Sequence, residues 1–360
     1  MVEKRVTGRD VARAAGVTTA TVSNVLNGKR NVGEATRERV LAAVRKLGYL
    51  PDQNGRSLRQ RNGHAIGVVV GKSLSNSRYG RTVEGMLQEA SDRGYRLSLC
   101  RNRIMPNGMR DYLAAYYQCN IDGVIFMSHD TEGPDSESLQ TVIDGNIPFV
   151  ALDCQIPSTK YSAVDFDYRG GAADATCNAL SYGHKRLLYI RPSVNNAQET
   201  LREEGVRQAC AEANATENLI VIDVDVQIQL DDEFADTRLE MSEDPTHSYA
   251  FYLDTTFRKL LSGRIRPGDA IVCSWPGWSA IIRSAFPLPN VMFTDLASES
   301  LSMSGTDAFC VMPNAQAGKV CVDTLVSLIE GNAPQSHLLP IRCFDVHRKQ
   351  IVNERPTVES

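Results

Sequence analysis

The sequence predicts an α/β body preceded by a small all-α domain, and three observations support this. The first 50 residues contain helix signals, namely capping residues, a turn glycine and apolar residues at helical spacing. From residue 65 onward, short continuous apolar runs alternate with amphipathic segments, which is typical of parallel sheets covered by helices on both faces. With 360 residues and a hydrophobic content of 42%, the chain is long enough for two or three domains with sizeable cores.

The first two helices are predicted to begin at threonines. Thr7 is followed three residues later by Asp10, which is the spacing of a capping box. Gly16 stands where a tight turn needs a positive φ, and Thr18 caps the second helix. A third helix, from about Glu34 to Leu47, carries an apolar face that can cover the other two. Two short helices joined by a turn, with a third behind them, predict a helix-turn-helix.

The outward face of the second helix carries short side chains that could reach base edges in a DNA groove at little cost in side-chain entropy. Asn24 could pair with adenine through two hydrogen bonds, and Ala20 offers a methyl contact. In this amino-terminal region the predicted DNA contacts are Thr7, Thr18, Thr19, Ala20, Thr21, Ser23, Asn24, Asn27 and Lys29.

Charge divides the chain into two parts. Residues 1–62 contain 13 Lys/Arg and 5 Asp/Glu, a formal charge of +8, whereas the whole chain carries −4. The remaining residues, 63–360, therefore carry −12. A basic front on an acidic body indicates a polyanion partner for the front. A helical subdomain with a solvated basic face is the alternative, but the caps and the turn glycine favour DNA binding.

Three motifs carry a resemblance to a known family. Asp10–Asn27 reads DVARAAGVTTATVSNVLN, Thr36–Val40 reads TRERV, and Leu47–Pro51 reads LGYLP. Together they resemble the lactose repressor/galactose repressor (LacI/GalR) family of bacterial transcription regulators, and weaker resemblance continues to about residue 350. The resemblance implies sequence-specific binding of operator DNA by a homodimer.

The same resemblance implies the domain organisation. Residues 5–50 would form the DNA-binding headpiece, and 51–62 a hinge helix or linker. Residues 63–350 would form a two-lobed, periplasmic-binding-protein-like core that dimerises and binds an effector between its lobes, and 351–360 a tail. The polar end of the chain shows no leucine heptad, which argues against a tetramerising coiled coil.

The hinge segment is predicted to depend on DNA for its order. A helix over Gln53–Gln60 is too short to be stable alone in water, and Gly55 costs about 1 kcal/mol relative to alanine. By resemblance, Leu58 matches a leucine wedged into a minor-groove base step, while Arg56 and Arg59 suit phosphate contacts. Without DNA we expect a flexible basic linker.

In the body, apolar runs predict the sheet strands and amphipathic segments predict the helices between them. The helices are Tyr79–Arg93 and a segment near Met109–Gln118. The strands are Ala65–Val70, Tyr95–Cys100, Asp122–Met127, Phe149–Leu152, Arg186–Ile190, Ile220–Val224, Ala270–Cys273 and Val291–Phe293.

Ligands of open α/β sheets bind at the carboxyl ends of the strands, so polar residues that follow strands are candidate effector contacts. These are Ser73, Arg78, Tyr79, Ser128, Asp153, Asp167, Asn196, Gln198, Arg202, Trp275 and Asp295. By resemblance, Arg202 matches the effector-clamping arginine of the family, Arg78 and Tyr79 match positions that line its pocket, and Asp295 matches the aspartate of its G-[FY]-D segment. Hydroxyl-rich ligands such as sugars need such acceptors and forked donors, although each residue alone could be a loop-end hydrogen bonder.

One segment departs from the family pattern. Relatives commonly carry an Asn-Asp pair after an apolar strand, where this chain reads Ser274-Trp275-Pro276-Gly277-Trp278. Trp275 could stack on a sugar ring, or it could fill the predicted cleft. The second possibility would make the protein effector-blind or unusually selective.

Other classes of protein find little support in the sequence. No apolar run of 18 residues and no signal peptide occurs, and nine scattered cysteines without a C-x-x-C pair indicate reduced thiols, so we expect a cytoplasmic protein without a membrane partner. Gly67–Ser73 is one residue short of a phosphate-binding loop, and the six histidines lack metal-ligand spacing. We therefore expect no enzyme activity, no cofactor and no metal.

The predicted function is that of a transcription regulator of the LacI type, with repression as the family default and activation left open. Its operator binding would be controlled by a small-molecule effector, a sugar or a related metabolite. Two alternatives stay open: a DNA-binding regulator without small-molecule control, and a ligand-binding protein with a vestigial headpiece.

Overall fold

The structure of the protein is a computed structural model, in which the chain forms two compact units. The first unit comprises Met1–Gly71, Thr82–Val164 and Gly318–Ser336, and the second Lys72–Arg81, Asp165–Ala317 and His337–Ser360. The structure describes residues 7–26, 32–47, 64–70, 77–101, 103–105, 109–118, 120–127, 142–154, 161–226, 249–298 and 305–352.

The helices and strands alternate along most of the chain. The helices are α1 Gly8–Ala15, α2 Thr19–Leu26, α3 Glu34–Leu47, α4 Ser77–Asp92, α5 Asp111–Tyr117, α6 Tyr168–Ser181, α7 Ala197–Glu212, α8 Tyr249–Leu261, α9 Trp278–Ala285 and α10 Asn314–Ile329. The strands are β1 Ala65–Val70, β2 Arg96–Arg101, β3 Gly123–Met127, β4 Phe149–Leu152, β5 Ser162–Asp167, β6 Arg186–Pro192, β7 Leu219–Val224, β8 Asp269–Cys273, β9 Met292–Ser298, β10 Ala308–Val311, β11 Ser336–Pro340, β12 Arg342–Asp345 and β13 Gln350–Ile351.

The three amino-terminal helices share a small apolar core. Val11 of α1, Val25 of α2 and Val40 of α3 are fully buried. The predicted capping box of α1 is present, because the Asp10 carboxylate accepts hydrogen bonds from the Thr7 N–H at 2.9 Å and the Thr7 hydroxyl at 2.6 Å. These contacts fix where α1 begins, and the predicted helix-turn-helix is confirmed.

Strands β1 to β4 of the first unit belong to a six-stranded sheet with the order β11-β5-β4-β3-β1-β2. The pairs β1–β2, β1–β3, β3–β4 and β4–β5 are parallel. Every residue of β1, β3 and β4 is buried, as expected for strands covered on both faces. The continuous apolar runs of the sequence therefore predicted these strands correctly.

The second unit contains a seven-stranded sheet in the order β13-β12-β10-β9-β8-β6-β7. Strands β6 to β10 pair in parallel, whereas β12 pairs antiparallel with both β10 and β13. The sequence predicted parallel sheets and missed this antiparallel edge. The strands concerned are only four and two residues long, too short for a clear apolar pattern, and β13 reaches Ile351 inside the predicted tail.

Helices α6 and α7 approach each other closely at a glycine. A Cβ atom on Gly205 would lie 2.2 Å from the carbonyl oxygen of Arg169 and 3.0 Å from the backbone nitrogen of Ala173. Backbone atoms cannot move aside as a flexible side chain can. Glycine is therefore required for this helix pair to pack as it does.

We expect Gly205→Ala to lower the free energy of unfolding by about 2 kcal/mol, because overpacking a well-packed contact typically costs this much. The control is Gly80→Ala, in helix α4, where an added Cβ would meet no atom within 4 Å. The control should be neutral or should stabilise the helix by up to about 1 kcal/mol. Urea denaturation of both variants measures the difference, and equal midpoints would contradict the close approach.

Two further findings concern cysteines and membrane spans. The described residues include eight cysteines, and all but Cys154 and Cys177 are buried. Burial, and then the nearby Asp111 charge, raises the pKa of Cys100 to about 11. Among the described helices, none is long and apolar enough to cross a membrane.

Candidate DNA-binding helix and effector site

The outward face of α2 is narrower than the sequence suggested. The Thr18 hydroxyl accepts the Thr21 N–H at 3.1 Å, and the two hydroxyl oxygens are 2.9 Å apart. Thr21 is half-buried in this cap, so its hydroxyl is committed to the start of the helix. The exposed side chains of α2 are Thr19, Ala20 and Ser23, and Asn24 lies half-buried at their border.

Several predicted site residues lie outside the described residues. They are Asn27, Lys29, Arg56, Leu58, Arg59, Ser73 and Ser128, together with the side chain of Arg78. Thr7 is described and exposed, but its hydroxyl donates to Asp10. A hydroxyl has a single proton, so in this arrangement Thr7 cannot also donate to a DNA phosphate, whose oxygens only accept hydrogen bonds.

Five of the predicted effector residues lie in the second unit near the carboxyl ends of β6, β8 and β9, which are neighbours in the sheet. They are Asn196, Gln198, Arg202, Trp275 and Asp295. Gln198 and Arg202 are 4% exposed, so both side chains are almost completely enclosed. Parallel pairing of these strands is what brings residues from distant parts of the sequence to one edge.

Arg202 does not point freely into solvent. One guanidinium nitrogen, Nη1, donates to Glu199 Oε1 and, at 3.4 Å, to Ser274 Oγ. The guanidinium carbon lies 4.6 Å from the centre of the Tyr168 ring, a cation–π distance. The sequence reasoning missed Glu199, Ser274 and Tyr168. The spacing of Glu199 and Arg202, three residues apart on a helix, is the signal that could have revealed the first contact.

Trp275 takes part in the same arrangement. Its indole N–H donates to Glu199 Oε1 at 3.1 Å, and its ring centre lies 5.6 Å from that of Trp278. Trp278 is 1% exposed and belongs to the core, whereas Trp275 is half-buried against it. Glu199, Arg202, Ser274 and Trp275 are called the Glu199 cluster below. Stacking of Trp275 on a sugar stays a prediction.

Asp295 lies inside a strand, whereas the sequence placed it after one. The predicted strand ended at Phe293, but β9 continues to Ser298 and pairs Asp295 with Cys273 of β8. The Asp295 carboxylate accepts the Gly277 N–H at 3.1 Å and the Ser279 N–H at 3.2 Å. It therefore caps the first turn of α9, and burial raises its pKa to about 7 despite these hydrogen bonds.

The other described candidates have local structural roles. Asp167 caps α6 by accepting the Gly170 N–H at 2.8 Å, and Asn196 caps α7 by accepting the Glu199 N–H at 2.8 Å. Asp153, which follows β4, is 2% exposed and has a positive φ of 57°. Tyr79, in α4, is 6% exposed. Caps of this kind place side chains at the helix starts and do not prevent the same residues from meeting a ligand.

A cavity of about 340 Å³ lies at the opposite, amino-terminal ends of β6 and β8. Its wall includes His184, whose Nδ1 is 2.9 Å from the Gly268 carbonyl oxygen. Arg186 crosses the same region and holds Asp269 through hydrogen bonds of 2.9 and 2.8 Å. These contacts connect the amino-terminal ends of the two strands, so His184 and Arg186 have structural roles here.

Comparisons with known proteins agree with this architecture. Residues 7–52 match the family model "Bacterial regulatory proteins, lacI family", and residues 63–250 match "Periplasmic binding proteins and sugar binding domain of LacI family". The HTH-type transcriptional repressor PurR of Photobacterium profundum is 33% identical over 246 residues, which cover 68% of this chain and 72% of that protein. The ribose operon repressor of Escherichia coli K12 is 32% identical over 207 residues, 58% of this chain and 62% of its own.

Solved structures show the same fold at lower identity. The transcriptional regulator CelR in complex with cellobiose has a TM-score of 0.60 at 22% identity, covering 97% of this chain and 100% of its own. The lac repressor dimer bound to operator and an anti-inducer has a TM-score of 0.58 at 18% identity, covering 97% and 99%.

We expect the second unit to lose stability as pH rises through the range set by Asp295. Its folded pKa of about 7 lies above the usual value of 3.8, so the folded state binds the proton more tightly. The stabilisation is complete below about pH 4 and is lost as pH rises towards 7, by roughly 4 kcal/mol in total. Asp295→Asn should flatten this dependence in urea denaturation between pH 4 and 8.

The asparagine amide offers one acceptor oxygen, as the protonated Asp295 carboxyl does at low pH, so the two proteins differ mainly in their response to pH. The slope against pH is therefore the deciding quantity. A variant with the same slope as the wild type would show that another group titrates there.

Proposed function

The chain belongs to the lacI family of bacterial regulatory proteins, and we propose that it represses transcription by binding an operator as a homodimer. The observation that carries the proposal is the family match over both the headpiece and the body. The headpiece supplies the exposed face of α2, and residues 1–62, which include the headpiece and the hinge segment, carry a formal charge of +8. Neutralisation of DNA phosphates by such a segment supports binding, and the short α2 side chains support base contacts.

The homodimer is supported by apolar side chains that both units leave exposed. Leu87 of α4 and Leu99 of the edge strand β2 are 53% and 55% exposed in the first unit. Phe251 of α8 is 48% exposed in the second unit. We expect a second copy of the chain to cover side chains of this kind. A dimer would also present two headpieces to a palindromic operator.

A carbohydrate or a related metabolite is the proposed effector. The relatives include a ribose operon repressor and a regulator bound to cellobiose. In this chain the Glu199 cluster and Asn196 gather hydrogen-bonding groups at the carboxyl ends of β6 and β8, where α/β sheets bind their ligands. The effector would change operator affinity by binding differently to two conformations of the protein.

The proposal includes a cytoplasmic location and no enzyme activity. Its relatives are transcriptional repressors, and a partner made of genomic DNA requires access to the cytoplasm. Ribose, cellobiose and purine nucleosides titrated against the DNA complex test the effector. If none of these compounds changes the affinity for DNA, the alternative of a regulator without small-molecule control is favoured.

We expect specific DNA binding to depend on both salt and Asn24. Duplexes selected from a random pool should bind with an affinity that falls steeply as salt rises, since bound phosphates release counterions. Asn24→Ala should weaken binding to the selected duplex by about 1–3 kcal/mol and leave binding to random competitor unchanged. Fluorescence anisotropy measures both affinities.

Asn218→Ala is the control, because Asn218 is exposed on the second unit. It should change neither affinity. No preference of the wild type for any duplex over random competitor would overturn the proposed function and favour a vestigial headpiece.

A further inference from the structure

Glu199 occupies an unusual place for a residue in the first turn of a helix. It is the third residue of α7, after the Asn196 cap. A glutamate at this position often folds back to the backbone N–H of the capping residue. Here the Glu199 carboxylate instead accepts hydrogen bonds from Arg202, Ser274 and Trp275. Its side chain therefore contacts Ser274 and Trp275, which follow β8, as well as Arg202 on its own helix.

The three donors are groups suited to bind a ligand. A guanidinium, a hydroxyl and an indole N–H converge from the carboxyl ends of β6 and β8, where ligands of α/β sheets bind. A carboxylate that accepts hydrogen bonds from an arginine forms a strong, charge-assisted contact. In this chain the carboxylate comes from the protein itself.

Burial makes the pairing obligatory. Glu199 is 1% exposed, Arg202 4% and Ser274 is fully buried. Two opposite charges enclosed to this degree must stay paired, because an unpaired one is strongly destabilising. A ligand carboxylate or phosphate that approached Arg202 would compete with Glu199 for Nη1 and would meet the negative charge of that residue. An uncharged ligand meets no such repulsion.

We propose that Glu199 is an internal ligand of Arg202 that restricts the effector of the second unit to uncharged molecules. The restriction to an effector class rests on the proposed function, whereas the internal-ligand role rests on the Glu199 cluster. Glu199 is thus a specificity-determining residue, and removal of its carboxylate should turn the site into one that accepts small anions.

The test removes the Glu199 carboxylate by mutation and then supplies a carboxylate from solution. Glu199→Ala removes a group that corresponds to acetate, so the melting temperature should fall by roughly 5–10 °C. Acetate at about 50 mM should restore much of this loss, because a ligand that binds the folded state stabilises it. Acetamide, which has the same shape without the charge, should not. Chloride keeps the ionic strength equal in all samples.

The matched control is Glu203→Ala, four residues later on the same helix. Glu203 pairs with Arg191 and Arg207, and its side chain is 19% exposed, so solvent can replace what is lost. Neither this variant nor the wild type should respond to acetate differently from chloride. A wild type stabilised by acetate as strongly as Glu199→Ala would overturn the proposal, because Glu199 would then exclude no anion.

Glu199→Gln keeps the test decisive if the alanine variant does not fold. This variant preserves the shape of the side chain but leaves Arg202 without its counter-charge, so we expect a comparable fall in melting temperature. A Glu199→Gln protein as stable as the wild type would overturn the proposal. Restoration of the Glu199→Ala melting temperature by acetamide as well as by acetate would also overturn the proposal. So would a melting temperature that neither acetate nor acetamide restores. These measurements need no DNA and no effector, so their failure is distinct from a failure of operator binding.

Discussion

Parallel strand pairing is the constraint on which the second unit depends. Neighbouring parallel strands cannot be joined by a tight turn, so each connection crosses over, and several do so through a helix. The strands β6, β8 and β9 therefore end at one edge, although more than 100 residues separate the ends of the first and last. This edge brings Arg202, Ser274 and Asp295 into one region of the unit. The position of the candidate site is therefore set by the strand pairing of the sheet.

Charges enclosed at this edge are all compensated, each in a different way. Arg202 is neutralised by Glu199, a residue of its own helix. Asp295 receives two backbone N–H groups at the start of α9 and holds its proton to a higher pH than usual. The sequence offered Arg202 and Asp295 as ligand contacts, but both side chains are hydrogen-bonded within the protein. Any ligand must compete with these contacts or add to them.

Residues 7–26 and the buried strands were predictable because their signals are local. A capping threonine with an aspartate three residues later fixes the start of α1, and a short, β-branched apolar run such as AIGVVV is typical of a strand covered on both faces. The role of Asp295 was not predictable, since the strand continues past its apolar run and the N–H groups it accepts come from residues 277 and 279. The partners of Glu199 were hidden for the same reason. Sequence spacing reveals Arg202, but Ser274 and Trp275 approach only once β6 and β8 are paired.

The mutual hydrogen bond of Thr18 and Thr21 has a consequence for retargeting the headpiece to another duplex. A hydroxyl that anchors the start of a helix cannot be exchanged without cost to that helix, typically about 1 kcal/mol. Libraries that vary Thr19, Ala20 and Ser23 while keeping both cap threonines would explore new base preferences on an intact scaffold. Randomising all five positions together would instead add many headpieces whose second helix is destabilised by the loss of its cap.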